Sequence, residues 1–197
     1  MTKRLFDGKT SITDEEINAL PLGAFDGEVV VIDDEGELKE AFEEIRQHAC
    51  VGFDTETKPV FVRGQKNKVA ILQIGLPKKV FLIRLLATGL APEIVKFLED
   101  TTLEKAGVAI RDDIKALQLL RKFHPGGFVE IQQLTKEAGL EVESVKKLTA
   151  LLLGFRISKS AQTSNWEATA LNEKQISYAA TDAWVCLEIY KKLKEAR

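Results

Sequence analysis

The sequence has few of the residues that hold soft metals. Its 197 residues include two cysteines, Cys50 and Cys186, and two histidines, His48 and His124. Two distant thiols do not make a disulfide framework. So few nitrogen and sulfur ligands also argue against a zinc centre. The basic N-terminus (MTKRLFDGKTSITDEE) is not followed by an apolar stretch, so no signal peptide is read. No run approaches the ~18 uncharged apolar residues that a membrane helix needs. A cytoplasmic location without membrane contact is the default expectation. There is no internal repeat and no low-complexity linker.

What is present fits a globular chain of one domain. Hydrophobic residues make up 45%, enough for a sizeable core. The 28 basic and 30 acidic residues give a net charge of −2. That excludes a basic tail protein and at first sight argues against a nucleic-acid partner. The balance is an average, however. Residues 1–50 carry 5 basic and 13 acidic side chains, and residues 51–197 carry 23 and 17. Thr57 to Arg84 holds seven basic residues and no acid; Ser144 to Trp166 holds four and no acid. One such run more often solubilises than binds. Two in one domain favour an anionic partner, with the acid excess expected away from them.

Thr13-Asp14-Glu15-Glu16 is a capping box, predicting a short helix that stops at Pro21. Strands are predicted at Glu28–Ile32, Ala49–Phe53 and Lys105–Ile110. Lys68–Ile74 and Lys79–Leu85 predict a hairpin, and Phe128–Ile131 a further strand. Helices are predicted at Glu37–His48, Pro92–Leu98 and Asp113–Lys122. From Gln132 onward the chain reads as largely helical, with a loop near Ser158–Asn165. Strands first and alternating helices later predict an α/β layer fold with a mixed sheet.

Carboxylates mark the chemistry. In Val51-Gly52-Phe53-Asp54-Thr55-Glu56 the strand alternation puts Asp54 and Glu56 on one side, ~6–7 Å apart. They stand at the end of an apolar run, where α/β sheets place ligands; a strand ending in a polar turn gives the same pattern. In the last helix, Lys174, Ser177, Thr181, Glu188, Lys191 and Lys192 form a polar side. Asp182 falls on the buried half, one turn after Tyr178. A buried carboxylate needs a cation, either a lysine or arginine or a metal ion. Asp112 and Asp113 begin a helix, where capping is a sufficient reason for either alone. Four converging carboxylates without His or Cys would select hard cations such as Mg²⁺ or Mn²⁺.

Phe53-Asp54-Thr55-Glu56, Asp113 within Gly107-Val-Ala-Ile-Arg-Asp-Asp-Ile-Lys-Ala-Leu117, and Tyr178-Ala-Ala-Thr-Asp182 resemble the three motifs of the DEDD 3′–5′ exonucleases. A tyrosine four before the last Asp resembles the DEDDy branch, and Ser177 stands where the sibling branch has histidine. Lys68-Val-Ala-Ile-Leu-Gln73-Ile and Ser164-Asn165-Trp166 are similar in the RNase D-like proteins and the exonuclease domain of the Werner syndrome helicase. The resemblance spans Glu28 to Leu193. It implies one ribonuclease H-like domain, a mixed sheet flanked by helices, over residues 28–197, with residues 1–27 as an extension. Apolar residues at +1 and +4 in the family pattern favour Asp113 over Asp112.

The resemblance also implies a mechanism. Asp54, Glu56, Asp113 and Asp182 would hold two divalent ions, Mg²⁺ or Mn²⁺, with Asp54 bridging them. Tyr178 would orient the attacking water, and 5′-mononucleotides would leave the free 3′ end of DNA or RNA. Thr57, Arg63, Lys66 and Lys159 would contact the backbone. Trp166 reads as a core residue rather than a base-stacking one. The alternatives are a non-catalytic nucleic-acid-binding module of the same fold and an aspartyl phosphatase, whose loop Asp54-Thr55-Glu56-Thr57 faintly resembles. Oligomeric state is not legible from the sequence.

Overall fold

The computed structural model describes residues 8–62 and 64–196. In chain order the elements are α1 (Asp14–Ala19), β1 (Glu28–Ile32), α2 (Leu38–Ile45), β2 (Cys50–Thr57), β3 (Val69–Gly75), β4 (Lys79–Arg84) and α3 (Leu85–Thr88). There follow α4 (Pro92–Glu99), β5 (Glu104–Gly107), α5 (Ile110–Leu120), β6 (Phe128–Glu130), α6 (Ile131–Glu137), α7 (Val145–Leu153) and α8 (Glu173–Glu195). The six strands form one mixed sheet in the order β1-β4-β3-β2-β5-β6. The central β4–β3–β2 pairs are antiparallel, and β1, β5 and β6 join in parallel.

Strand alternation sorts the sheet residues onto two faces. Val51, Phe53, Leu72 and Ile74 pack with Phe42 of α2, Phe97 of α4 and Leu117 of α5. On the other face Ile71, Val80 and Leu82 meet Ala179, Ala180 and Ala183 of α8 and Trp166. Further along that face, Ala106 joins Leu148 of α7 with Val185, Cys186 and Ile189 of α8. Residues 8–27 close over part of it: Ile12 and Ile17 are buried in that cluster, and the Phe25 N–H donates to Thr181 Oγ1 at 3.0 Å. This corrects one expectation from the last helix, because Thr181 is buried rather than part of a solvated stripe.

Other boundaries moved for identifiable reasons. The strand expected to end at Phe53 runs to Thr57, so Asp54 and Glu56 lie within it. The strand expected to reach Ile110 stops at Gly107, and α5 starts at Ile110. Trp166 is fully buried, as read from the sequence. Lys105 is also fully buried: its ammonium donates to the carbonyls of Asp100 and Leu103 and lies 5.1–5.2 Å from the rings of Phe97 and Phe128.

The position of α8 is set by glycine. Gly52 and Gly75 face each other across the β2–β3 pair. A Cβ on Gly52 would lie 1.8 Å from the Ala183 carbonyl oxygen, and one on Gly75 would lie 2.8 Å from it. The helix backbone therefore rests directly on the sheet, with alanines at the contact. Asp182 adjoins Ala183, so this seat also brings its carboxylate to the sheet. Gly52→Ala is expected to cost about 1–3 kcal/mol through overpacking against helix backbone, read as a lower urea midpoint. A midpoint equal to wild type would contradict the seat.

Candidate active site

β2 carries the first two site residues. Asp54 and Glu56 point to the α8 face, where Asp182 meets them. One carboxylate oxygen from each of Asp54, Glu56 and Asp182 lies within 4.8 Å of the others. Asp182 is buried, and its Oδ1 has no hydrogen-bond partner among the described residues. Asp54 Oδ1 accepts the Thr55 N–H at 2.8 Å. Gln73, fully buried, sits opposite Asp54 on β3. Its amide lies beside Glu56 and favours the charged carboxylate, although neither of its polar atoms makes a well-formed hydrogen bond.

Asp113 reaches the site from the first turn of α5. Its carboxylate accepts the Thr55 hydroxyl rather than joining the three-carboxylate group. Asp112 points away: its side chain is 91% exposed and pairs with Lys115. The structure thus brings Asp113, and not Asp112, to the edge of the cluster. Tyr178 lines the same cleft, its ring 6.0 Å from that of Trp166.

The predicted substrate contacts divide. Lys159 is exposed on the cleft wall, and its charge favours ionised Asp182. Thr57 and Lys66 line a separate groove of about 990 Å³ between residues 57–68 and α5, which also takes in Lys58, Lys68 and Lys115. Arg63 lies outside the described residues. Among the cleft residues, Ala109, Gln132 and Gln162 carried no chemical signal in the sequence, whereas Lys146 belongs to the acid-free basic run Ser144 to Trp166. Lys146 is held at 3.1 Å by Asp14 of α1. The acidic N-terminal segment therefore reaches the cleft at one point instead of lying wholly away from it.

Electrostatics make the cluster costly. Burial, and then the charges of Asp182, Asp113 and Glu56, hold the Asp54 carboxyl well above the usual range. Burial and then Asp182 push Glu56 up to about 8. Burial lifts Asp182 to about 7 against the pull of the Tyr178 hydroxyl and Lys159. Burial lifts Asp113 to about 6 although the Thr55 hydroxyl favours its charge. Tyr178 is pushed far above its ordinary value by burial and by Asp182 and Glu56, so its phenol stays protonated. Converging hard oxygen donors, one with a buried unpartnered oxygen, fit Mg²⁺ or Mn²⁺.

These shifts fix the sign of a pH effect. The folded carboxyls bind protons that the unfolded chain releases near pH 4, so their contribution to stability falls as pH rises from about 4 to about 8. Asp182→Asn in EDTA is therefore expected to be more stable than wild type at pH 8, by ~1 kcal/mol or more, or ~2–4 °C in Tm. The gap should narrow toward pH 4.5. Mg²⁺ at pH 8 should raise wild type more than the variant. A gap independent of pH would contradict the assignment.

Comparison with known proteins identifies the family and the fold. Residues 29–196 match the family model described as 3′–5′ exonuclease. Over 151 residues the chain is 36% identical to the mouse bifunctional 3′–5′ exonuclease/ATP-dependent helicase WRN; this covers 73% of the chain and 11% of that relative. The chain thus spans a small part of the relative's length. The Aedes aegypti Nibbler EXO domain superposes with a TM-score of 0.77 at 23% identity, covering 88% of this chain and 92% of that one. Escherichia coli RNase D, described as an exoribonuclease involved in structured RNA processing, gives 0.77 at 24% identity, covering 85% and 44%. The last two establish the ribonuclease H-like exonuclease fold, and the match over residues 29–196 establishes that the chain belongs to the 3′–5′ exonuclease domain family.

Proposed function

We propose that the chain is a divalent-metal-dependent 3′–5′ exonuclease of the tyrosine-bearing DEDD type, with residues 28–197 as its catalytic domain. It would remove 5′-mononucleotides from the free 3′ end of a DNA or RNA strand. The observation that carries this reading is the trio Asp54, Glu56 and Asp182, gathered within 4.8 Å in a cleft that also holds Tyr178 and Lys159. Membership of the exonuclease family supports it.

In this reading Asp54, Glu56 and Asp182 would hold the divalent ions, with Asp54 shared between them, and Asp113 would give support from the edge of the cluster. Divalent ions held there supply the charge that acidifies water and stabilises the departing 3′ oxygen. Tyr178, holding its proton at neutral pH, donates a hydrogen bond that orients water and does not abstract a proton. Lys159, on the cleft wall, attracts the phosphate backbone. Thr57 and Lys66, in the groove that begins one residue after Glu56, and Arg63 in the same basic stretch of sequence would hold the strand upstream of the scissile bond. Such contacts position the backbone without reading sequence.

The test uses DNA and RNA strands of matched sequence, each labelled at the 5′ or the 3′ end, with Mg²⁺ or Mn²⁺. Wild type should release labelled mononucleotide at once from the 3′-labelled strand and shorten the 5′-labelled strand stepwise. Asp54→Ala should abolish both. Tyr178→Phe should lower kcat on the order of 10²-fold with KM little changed, as expected for lost positioning. Full activity in Asp54→Ala would contradict the metal assignment. No metal-dependent cleavage of either strand by wild type would favour a module that only binds nucleic acid.

A further inference from the structure

The start of α5 is held in an unusual way. Ala109 has φ 58° and ψ 32°, the one non-glycine with positive φ among the described residues. A side chain in the left-handed region crowds its own carbonyl, so such a residue persists only where neighbours enforce it. Ala109 is the N-cap of α5, yet its side chain offers no acceptor for the helix N–H groups. Gly107, two residues earlier, allows the tight turn: a Cβ there would lie 2.4 Å from Ile110 Cγ2 and 2.6 Å from the Phe53 carbonyl oxygen.

Another strand supplies the missing acceptor. β6 pairs with β5 so that Glu130 stands opposite Gly107. From there its carboxylate accepts the Ala109 N–H at 2.9 Å with one oxygen and the Ile110 N–H at 3.0 Å with the other. The first oxygen also accepts the Gln132 N–H at 3.1 Å, capping α6. One carboxylate thus ties the first turns of α5 and α6 together beside the cleft that Ala109 and Gln132 line. Asp113 is in that same first turn of α5, three residues after Ile110.

We propose that Glu130 is a positioning residue for Asp113: by gripping the N–H groups of Ala109 and Ile110 it locks the left-handed turn that aims α5, and with it the Asp113 carboxylate, at the cluster on β2 and α8. This rests on the reading of Asp113 as a metal ligand. Glu130 touches neither substrate nor metal in this account. Its effect passes through the backbone of residues 109–110. The proposal explains why an alanine tolerates a left-handed turn at this point, and why both carboxylate oxygens are spent on adjacent N–H groups.

The experiment compares Mn²⁺ binding, followed by electron paramagnetic resonance, with single-turnover and steady-state cleavage of a 3′-labelled strand. All proteins are held below their unfolding transitions. Asp113→Asn defines the binding component that depends on Asp113. Glu130→Gln, which keeps the size but turns one acceptor into a donor, is expected to weaken that same component about 3–10-fold. It should lower kcat by a similar factor with KM for the strand unchanged. Adding Ala109→Gly, which takes the left-handed turn without strain, should restore much of both in the Glu130→Gln background. A loss due only to removing a negative charge would not be restored by glycine, and that outcome would overturn the positioning role.

Wild-type Mn²⁺ affinity and kcat in Glu130→Gln, beside an impaired Asp113→Asn, would overturn the inference and leave the reading of Asp113 intact. Wild-type Mn²⁺ binding in Asp113→Asn would overturn the reading of Asp113, and the inference with it. Should Glu130→Gln fail to fold, Glu130→Asp replaces it. The aspartate keeps the charge but shortens the reach, and the same outcomes then decide.

Discussion

Like charges do not gather in a protein interior unless something stronger holds them there. In this fold the holding element is the contact between the backbone of α8 and the glycine pair Gly52 and Gly75. With alanines at positions 179, 180 and 183, the helix comes as close to the sheet as backbone permits. Asp182 is then carried into a space already occupied by Asp54 and Glu56. The packing of Phe42, Phe53, Phe97 and Leu117 on the opposite face keeps the sheet rigid underneath. The apolar core therefore offsets a standing electrostatic cost at one edge, a cost that a divalent cation bound there would relieve.

Asp113 is governed by different forces. It comes from the α5 side of the sheet and rests on the Thr55 hydroxyl, one step outside the three-carboxylate group. Its place depends on how α5 begins, and that start is fixed by a turn at Ala109 and a carboxylate on β6. The site thus has a firmly seated half built on β2 and α8 and a half whose aim is set by hydrogen bonds. Around both, charge is local. Lys146 and Lys159 stand on the cleft wall, and Asp14 engages Lys146 from the N-terminal segment. The net charge of −2 conceals this arrangement because it averages an acid-rich first 50 residues with a basic remainder.

Much of the fold was legible because its signals are short-range. β-branched runs marked the strands, the Thr13 capping box marked α1, and both arms of that box are present. Alternation along β2 placed Asp54 and Glu56 together, and helical periodicity placed Asp182 on the buried side. Asp113 and Asp112 were equivalent by local rules. Only the family pattern separated them before the half-burial of Asp113 and the exposure of Asp112 did so. What stayed illegible depends on contacts distant in sequence. Glu130 looked like the end of a strand, yet it acts 20–21 residues upstream. Thr181 looked solvated until residues 20–27 covered it, and Lys105 gave no sign of burial on β5. The loop before α8 runs longer than the Ser158–Asn165 expected from the sequence, because a mixed polar segment carries no periodicity to bound it.

The central claim is that the cluster of Asp54, Glu56 and Asp182 is a divalent-cation site whose carboxyls the fold keeps partly protonated at neutral pH. Metal binding must then expel protons, since only ionised carboxylates coordinate. The direct measurement is calorimetric titration of Mg²⁺ or Mn²⁺ at pH 7 in buffers of different ionisation enthalpy, repeated at pH 9. The account predicts net proton release at pH 7, set by carboxyls lifted to about 7 and about 8, and less release at pH 9. Saturable binding at pH 7 with no proton release, or no binding at all, would contradict it.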